Sequence, residues 1–293
     1  MKFLLRYGEL GLKGRHVRAQ MQRRLRENIL RLLADGGSRA EMSEKEGRLF
    51  VETDHPEGAT LLGRVFGLVS FSPVSETGSE LEGISGKGVQ LATGVRRRGP
   101  SFAVRARRVG THPFTSADVA RTLGSAILSA HPELKVNLTV PDWEIHVEVR
   151  GTIAYLFTEI LPGVGGLPLG TQGKLVSLVE TPEGAVASWL MMKRGSYVLP
   201  VFRTGADSAS GLRAWDPGLR LRSIESLEEM RTVAEETGAL GFVYPWTSPG
   251  EPDEDFRPAF YPLMGLDPGR LASLRTTVTG VGVPTSPSLG ARG

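Results

Sequence analysis

The chain of 293 residues contains no cysteine. This absence excludes disulfide bonds, thiolate metal ligands and a cysteine nucleophile. Asparagine occurs only at positions 28 and 137, and a shortage of both residue types is typical of proteins from thermophiles. No apolar run reaches the length that spans a membrane, and residues 1–6 lack the apolar stretch of a signal peptide. We therefore expect a cytoplasmic protein without membrane contacts.

The positive charge is concentrated in the N-terminal part of the chain. The net charge is +4 over residues 1–75 and −2 over residues 171–293. The composition, with 40% apolar and 23% charged residues, is ordinary for a globular protein, and the length allows two or three domains. The uneven charge indicates a polyanion as the partner of the N-terminal half.

One stretch, residues 165–195, organises the second half of the chain. Leu175–Val179 is a short apolar run, typical of a buried parallel strand. Ala185–Lys193 contains good helix formers, and it is followed by Arg194 and Gly195, which are common at helix C-termini. A strand, a loop and a helix in this order form a joint at which α/β folds bind phosphate.

Both flanks of this loop resemble the PP-loop pyrophosphatase domain of the tRNA 4-thiouridine synthases, which are sulfurtransferases also linked to thiamine biosynthesis. The family pattern is GLPVGTSGK, an apolar strand, Ser-Gly-Gly-x-Asp-Ser and a helix close to AWLMMKRG. Residues 166–174 and 188–195 match this pattern almost letter for letter. The loop itself departs from it, with Val179, Glu180, Thr181, Pro182, Glu183 and Gly184 at the six positions.

These loop residues predict a pocket that does not hold a nucleotide. The glycines that would let backbone N–H groups surround pyrophosphate are replaced, both serines are lost, and Pro182 has no N–H. Glu180 adds a carboxylate, and at about 5 Å with an effective dielectric near 20 each like-charge pair costs roughly 3 kcal/mol. We therefore expect no catalytic residue and no cofactor, with ATP and Mg²⁺ bound only if the family's enzyme activity persists.

The N-terminal residues predict a small α+β unit of the ferredoxin-like type. Three strands are predicted, at Lys2–Tyr7, Arg48–Glu52 and Phe66–Val74. Between the first two strands, Arg15–Ala34 predicts an amphipathic helix. Its apolar stripe is formed by Val17, Met21, Leu25, Ile29, Leu32 and Leu33. The stretch RYGELGLKG resembles the family opening RFGE…KG, which implies RNA contacts for Lys13 and Arg15, and a solvated helix without an RNA contact is the alternative.

A second block of the chain alternates in the way that strands do. In Ser101–Val109, Val104 and Ala106 share one face, and Arg105 and Arg107 share the other. The residues Thr-Ser-Ala-Asp at 115–118 predict a capping box that begins a helix. Two further strands, Trp143–Arg150 and Ala154–Ile160, are predicted to form a hairpin.

This block resembles a THUMP domain, whose pattern includes FKVRAKR, a P-[FL]-T-S helix start, EIHVE-[IV]-RG and IPGPGG. The resemblance implies binding of the acceptor end of tRNA. Arg105, Arg107 and Arg108 are the expected phosphate contacts. Lys174, in the GTQGK stretch, is also expected to bind the RNA. A surface salt bridge is the alternative for any one of the arginines.

The predicted fold class is a multidomain protein with α/β and α+β parts. The expected domains are a ferredoxin-like domain at 1–75, a THUMP domain at 76–167, a truncated, Rossmann-like PP-loop domain with a parallel sheet at 168–275, and a flexible tail at 276–293. Ser75–Gly88 is rich in serine, glycine and glutamate and is expected to be a linker or a domain boundary. The third domain should continue with strands at Tyr197–Phe202 and Gly241–Tyr244, a loop at Thr204–Arg222 and a helix at Ile224–Thr237.

Other catalytic patterns are missing from the sequence. Gly173 and Lys174 do not complete a Walker loop, because Pro168 stands where its first glycine would be and Leu175 follows the lysine. The five histidines have no metal-ligand spacing, and His146 is expected to lie on a strand surface in contact with solvent.

Three functions remain open at this point. The first is a non-catalytic tRNA-binding protein whose altered PP-loop domain acts as a scaffold or as the surface of a homodimer. The second is an active 4-thiouridine synthase with an unusual loop; the family's sulfur relay uses a cysteine of this domain, so another protein would have to supply that chemistry. The third is a partner subunit that steers an active homologue without using ATP.

Overall fold

The computed structural model describes residues 1–8, 14–248 and 257–280, without the side chains at positions 15 and 206. The chain forms two compact units, and each of them is assembled from three separate stretches of chain. Unit 1 contains Met1–Arg6, Glu41–Thr53 and Phe71–Leu161. Unit 2 contains Tyr7–Ala40, Asp54–Ser70 and Pro162–Gly293.

The described residues form fifteen strands and seven α-helices. The strands are β1 (Lys2–Tyr7), β2 (Ala40–Lys45), β3 (Arg48–Thr53), β4 (Leu68–Pro73), β5 (Ser75–Gly78), β6 (Ser101–Val109), β7 (Lys135–Val136), β8 (Trp143–Arg150), β9 (Ile153–Phe157), β10 (Leu161–Pro162), β11 (Lys174–Leu178), β12 (Tyr197–Phe202), β13 (Arg222–Ser223), β14 (Phe242–Val243) and β15 (Ala259–Phe260). The helices are α1 (Arg15–Asp35), α2 (Gly58–Gly63), α3 (Leu81–Val95), α4 (Ser116–Ala130), α5 (Pro182–Lys193), α6 (Glu229–Thr237) and α7 (Pro268–Thr279).

These strands form three sheets of five strands each. The first sheet has the order β10-β4-β1-β3-β2, and β1 runs antiparallel to β3. The second sheet has the order β5-β9-β8-β6-β7, with β6 and β8 parallel and β8 and β9 antiparallel. The third sheet, β13-β12-β11-β14-β15, is parallel throughout. This arrangement confirms the predicted fold class, while the predicted domain boundaries stay a prediction.

Helices α3 and α4 cover one face of the second sheet. Phe102 and Val104 of β6 lie in the same buried cluster as Ile145 and Val147 of β8, as the alternation predicts. The capping box is confirmed, because the Thr115 hydroxyl accepts the N–H of Asp118 and the Asp118 carboxylate accepts the N–H of Thr115. The opposite face of the sheet carries charged and aromatic side chains instead.

The linker predicted for Ser75–Gly88 is wrong, since these residues form β5 and the first half of α3. Helix packing, and not a loop, explains the glycine at position 88. A Cβ atom there would lie 2.3 Å from Cδ1 of Leu123 on α4, so a larger residue would force the Leu123 side chain to move. A glycine-rich composition therefore indicates close helix packing at this place in the chain.

The third sheet has α5 at the centre of its buried cluster. Trp189 and Met192 of α5 pack with Phe66 and Trp215. Because apolar residues surround this helix on all sides, it is buried as an internal helix instead of lying amphipathically on the surface. The helix thus positions its N-terminus at the end of β11, as predicted.

Helix α1 belongs to unit 2 and is held there by polar contacts. The Asn28 side chain donates to the carbonyl of Leu169 at 3.0 Å. Arg31 reaches Asp216, with Nη2 2.8 Å from a carboxylate oxygen that also accepts the N–H of Gly218. The predicted apolar stripe is buried from Met21 onward, whereas Val17 is exposed.

We expect Arg31→Met to lower the free energy of unfolding by about 2–3 kcal/mol at pH 7, because it leaves a buried carboxylate without its counter-ion. Burial raises the pKa of Asp216, while Arg31 and the Gly218 N–H act against that rise. A carboxyl with a raised folded-state pKa stabilises the fold at low pH and loses this contribution as the pH rises through that pKa.

Loss of Arg31 raises this pKa further, so the cost should be smaller at about pH 4 than at pH 7, which urea unfolding at both values measures. The matched control is Arg23→Met on the same helix, whose exposed pair with Glu27 contributes about 0.5 kcal/mol or less. An equal cost at both pH values would contradict the assigned role of Asp216.

Several boundaries differ from the predicted ones. Strand β2 was not predicted, because its pattern AEMSEK is mostly polar. The loop predicted at Thr204–Arg222 contains a 3₁₀ helix, Ala206–Ala214, and α6 begins at Glu229, five residues later than predicted. Helix α7 extends to Thr279, so the predicted flexible tail begins inside a helix, and its residues 281–293 lie outside the described residues.

Candidate nucleic-acid interface and the β11–α5 loop

The face of the second sheet opposite α3 and α4 carries arginine side chains. On β6, Arg105 and Arg107 lie opposite His146 and Glu148 of β8 in the parallel register. On β9, Phe157 pairs with His146 in the antiparallel register. Charged and aromatic side chains therefore meet on one face, because alternate residues of neighbouring strands point to the same side.

Glu148 is the buried centre of this face, with 5% of its surface exposed. Arg150 donates to it through Nε and Nη2, at 3.2 and 2.9 Å. Nε of Arg48 lies 3.5 Å from the same carboxylate, and Nη2 of Arg6 lies 3.9 Å from it. One carboxylate therefore faces three guanidinium groups, and the cluster keeps a surplus of positive charge.

Phe157 joins this cluster through its ring. The guanidinium carbon of Arg6 lies 4.9 Å from the ring centroid, a cation–π distance. His146 stacks on the same ring at 4.9 Å with an interplanar angle of 6°. The expectation that His146 is a plain surface residue is wrong, because only 19% of its side chain is exposed. Burial lowers the pKa of His146; Glu144 opposes this shift, and Arg6 adds to it.

The three predicted β6 arginines differ in their local contacts. Arg105 is paired, with Nε 2.8 Å from Glu144 and Nη2 donating to the carbonyl of Leu138 at 2.9 Å. Arg108 donates to the carbonyl of Gly110. Arg107 is exposed, and among residues 1–8, 14–248 and 257–280 it has no salt bridge or hydrogen bond. Of these arginines, Arg107 is the one whose guanidinium is free for a phosphate.

The remaining predicted RNA contacts lie elsewhere or cannot be placed. Lys174 donates to the carbonyl of Thr237 at 2.9 Å, at the C-terminus of α6, where a cation is favourable. Lys13 lies outside the described residues, as does the side chain of Arg15. Both therefore stay predictions.

Sequence reasoning missed Arg6, Arg48 and Arg150 as members of the arginine face. Arg6 of β1 and Arg48 of β3 reach Glu148 from strands far away in the sequence, through contacts that no local pattern shows. Alternation along β8 offered one signal, since it puts Arg150 on the same side as Glu148. The arginine face is defined here as Arg6, Arg48, Arg105, Arg107 and Arg150.

The loop between β11 and α5 is held by arginines from later in the chain. Arg203 forms a two-pronged pair with Glu180, with Nε and Nη2 each 2.8 Å from a carboxylate oxygen, and its backbone N–H donates to the same group at 3.1 Å. This hydrogen bonding lowers the pKa of Glu180. Arg275 of α7 pairs with Glu183 in the first turn of α5.

These pairs change the electrostatic argument made from the sequence. Each loop carboxylate faces its own guanidinium, so the repulsion of a phosphate by Glu180 is weaker than expected. What still disfavours phosphate binding is a shortage of free backbone N–H donors. Pro182 occupies the first helical position, and the N–H groups of Gly184 and Ala185 are directed to the carbonyl of Thr181 at 3.0 and 3.4 Å.

Glycine at position 184 serves packing. A Cβ atom there would lie 2.7 Å from the carbonyl oxygen of Leu178, so α5 begins in direct contact with the end of β11. Helix α5 therefore offers few free backbone donors at its N-terminus, where a phosphate would need them.

No helix in residues 1–8, 14–248 and 257–280 is both long and apolar enough to cross a membrane. Within the same residues, no group of three or more His, Asp or Glu side chains is placed to hold a metal ion.

Fold and site together define a class: multidomain proteins that join a ferredoxin-like unit and a THUMP domain to a Rossmann-like parallel sheet. Residues 2–72 match the ThiI ferredoxin-like domain, and residues 90–159 match the THUMP domain. The chain belongs to the ThiI family, which contains the tRNA sulfurtransferases.

Relatives and solved structures agree with this assignment. The chain is 44% identical over 224 residues to the "Probable tRNA sulfurtransferase" of Methanosarcina acetivorans, covering 73% of this chain and 54% of the relative. It is 40% identical over 195 residues to the tRNA sulfurtransferase of Thermoplasma volcanium, covering 66% of this chain and 40% of the relative. The chain thus spans about half the length of the curated relatives it matches.

Two crystal structures have a similar fold. PH1313 from Pyrococcus horikoshii aligns with a TM-score of 0.82 at 29% identity, over 94% of this chain and 98% of that one. A 4-thiouridine synthetase in complex with RNA and ATP aligns with a TM-score of 0.81 at 24% identity, over 96% of this chain and 85% of that one. At 24% identity, the alignment with the 4-thiouridine synthetase shows only that the two folds are similar.

Proposed function

We propose that this protein binds tRNA at its acceptor end through the arginine face, and that it does not adenylate tRNA by itself. The observation that carries the proposal is the charge of that face. Five arginines meet two carboxylates, Glu144 and Glu148, and the exposed Arg107 has no counter-ion among the described residues. A phosphate backbone supplies the missing negative charge.

The β11–α5 loop supports the second half of the proposal. A pyrophosphate site needs free backbone donors and room at a helix N-terminus. Here Pro182 lacks a donor, Gly184 is packed against β11, and Arg203 is occupied by Glu180. The 293 residues also contain no cysteine, so none of them can provide the thiol of a sulfur relay.

The names of the relatives keep two alternatives open. The chain could act as a tRNA sulfurtransferase that uses ATP with the help of a partner, as the relatives' name suggests. It could also regulate an active homologue, either as a homodimer or in a mixed complex. Both alternatives share tRNA binding with the proposal and differ from it in ATP binding or in assembly.

Two titrations test the proposal. We expect tRNA affinity to fall about 50- to 500-fold between 50 and 200 mM salt, as three to five phosphate contacts require. We expect no heat from ATP and Mg²⁺ in calorimetry, with or without tRNA. Micromolar ATP binding would favour the sulfurtransferase, and tRNA binding that is absent or insensitive to salt would overturn the proposal. Co-elution with an intact homologue on a sizing column would favour the regulatory subunit.

A further inference from the structure

Three aromatic side chains stack on one another at one end of the third sheet. The Tyr244 and Trp246 rings lie 4.4 Å apart at 14°. Tyr261 lies 5.9 Å from Tyr244 and 6.0 Å from Trp246, with interplanar angles of 23° and 27°. The three rings are therefore close to parallel and form one aromatic stack, defined as Tyr244, Trp246 and Tyr261.

The stack lies where ligands of open parallel sheets bind. Tyr244 directly follows β14, and Tyr261 directly follows β15, so both rings are at the carboxyl edge of the sheet. The order β13-β12-β11-β14-β15 reverses its chain direction between β11 and β14. Such a reversal opens a crevice at the carboxyl edge, which is the usual binding place in this class of sheet.

The stack extends from the core to the surface. Tyr244 is 9% exposed and belongs to the buried cluster around Phe242 and Met230 of α6. Trp246, the outermost ring, is 37% exposed. The other three tryptophans of the chain, Trp143, Trp189 and Trp215, are 4%, 3% and 7% exposed. A core function explains Tyr244, but it does not explain a tryptophan held parallel to it and open to solvent.

We infer that Trp246, supported by Tyr244 and Tyr261, stacks against an unpaired RNA base. This inference rests on the proposed function, since it names a part of the bound RNA. A base has a flat π face, and an indole already ordered by two tyrosines loses little further freedom when a base stacks on it. Stacking of this kind accepts any base and is compatible with recognition of single-stranded nucleotides.

Tryptophan fluorescence tests the inference directly. Trp246 is the one solvent-exposed tryptophan, so a short single-stranded oligoadenylate should quench part of the emission of the wild-type protein. Trp246→Leu should abolish this quenching and weaken binding of the oligonucleotide about 5- to 100-fold, whereas Trp246→Phe should keep most of the affinity. Met264→Ala, which changes another exposed apolar residue of unit 2, is the matched control and should bind as the wild type does.

Each contrary outcome has its own meaning. Oligonucleotide quenching that persists in Trp246→Leu, or that is absent in the wild type, overturns the inference. Equal quenching by ATP and by oligoadenylate at the same base concentration overturns the choice of RNA as the occupant. If tRNA binding is salt-dependent and equally strong in Trp246→Leu and in the wild type, the inference is overturned and the proposed function stands. If the wild-type protein does not bind tRNA, the proposed function is overturned.

Discussion

An Arg107→Glu variant is expected to bind tRNA about 10- to 100-fold more weakly than the wild-type protein at low salt. Arg107 is exposed on β6 and has no partner among the described residues, so its charge is available to a phosphate. Arg6 and Arg105 lie close enough to act with it on His146, so the reversed charge also lowers the potential around neighbouring contacts. Filter binding over a salt series should show the loss of affinity and a slope reduced by about 1.

The matched control is Arg121→Glu. Arg121 lies on α4 in the same unit, on the helix-covered side of the second sheet, and 74% of its side chain is exposed. We expect this reversal to change tRNA affinity less than about threefold, because long-range charge effects are screened beyond roughly 10 Å at 0.1 M salt. Equal losses in both variants would indicate an effect of net charge, and no loss in Arg107→Glu would remove the arginine face from the RNA interface.

Arg105 is a less informative position for the same experiment. Reversal of its charge would also break its pair with Glu144 and its bond to the Leu138 carbonyl. The double change Arg105→Glu with Arg107→Glu should weaken binding further than Arg107→Glu alone. The single change at Arg107 separates RNA contact from local structure more cleanly.

A Glu148→Gln variant is expected to lose about 3 kcal/mol of stability in unit 1. The substitution keeps the shape of the side chain but removes the charge that faces Arg6, Arg48 and Arg150. Three guanidinium groups would then lie together with no carboxylate among them, which is the costly way to break a buried ion pair. Hydrogen exchange of the β8 amides against urea concentration measures this loss locally, because a chain with two units need not unfold in one step.

Glu144→Gln supplies the comparison. Glu144 lies on β8, as Glu148 does, and pairs with Arg105 of β6. Because 34% of its side chain is exposed, its removal should cost less than about 1 kcal/mol. Affinity for tRNA should be retained or raised in Glu148→Gln at a temperature where unit 1 stays folded, since the arginine face becomes more positive. A stability loss no larger than that of Glu144→Gln would contradict the central role of Glu148.

Local patterns predicted the parts of the fold that depend on local physics. The two-residue period of Ser101–Val109 placed Arg105 and Arg107 on one face, and the Thr115–Asp118 capping box marked the start of α4. The strand–loop–helix joint around β11 and α5 was also predictable, because an apolar strand and an apolar helix flank turn residues.

The contacts that distant strands create were not predictable. Arg6 and Arg48 reach Glu148 only after β1 and β3 join the same unit as β8. In the same way, the sequence indicated that the carboxylates of Glu180 and Glu183 have no counter-ions. Their partners Arg203 and Arg275 lie later in the chain, just after β12 and on α7, and no local pattern connects them to the loop. Glycine misled the prediction at α3 because its composition resembles a linker while its role at Gly88 is helix contact.

The division of each unit into three stretches of chain determines what protease cleavage and truncation do to the protein. Unit 1 takes its strands from Met1–Arg6, Glu41–Thr53 and Phe71–Leu161, and the stretches that lie between them belong to unit 2. A single protease cut between residues 54 and 70 therefore divides each unit between two fragments, which only noncovalent contacts then hold together. A fragment that begins at residue 76 would lose Leu4 and Phe50, which cover Tyr155, and expose an aromatic surface that favours aggregation.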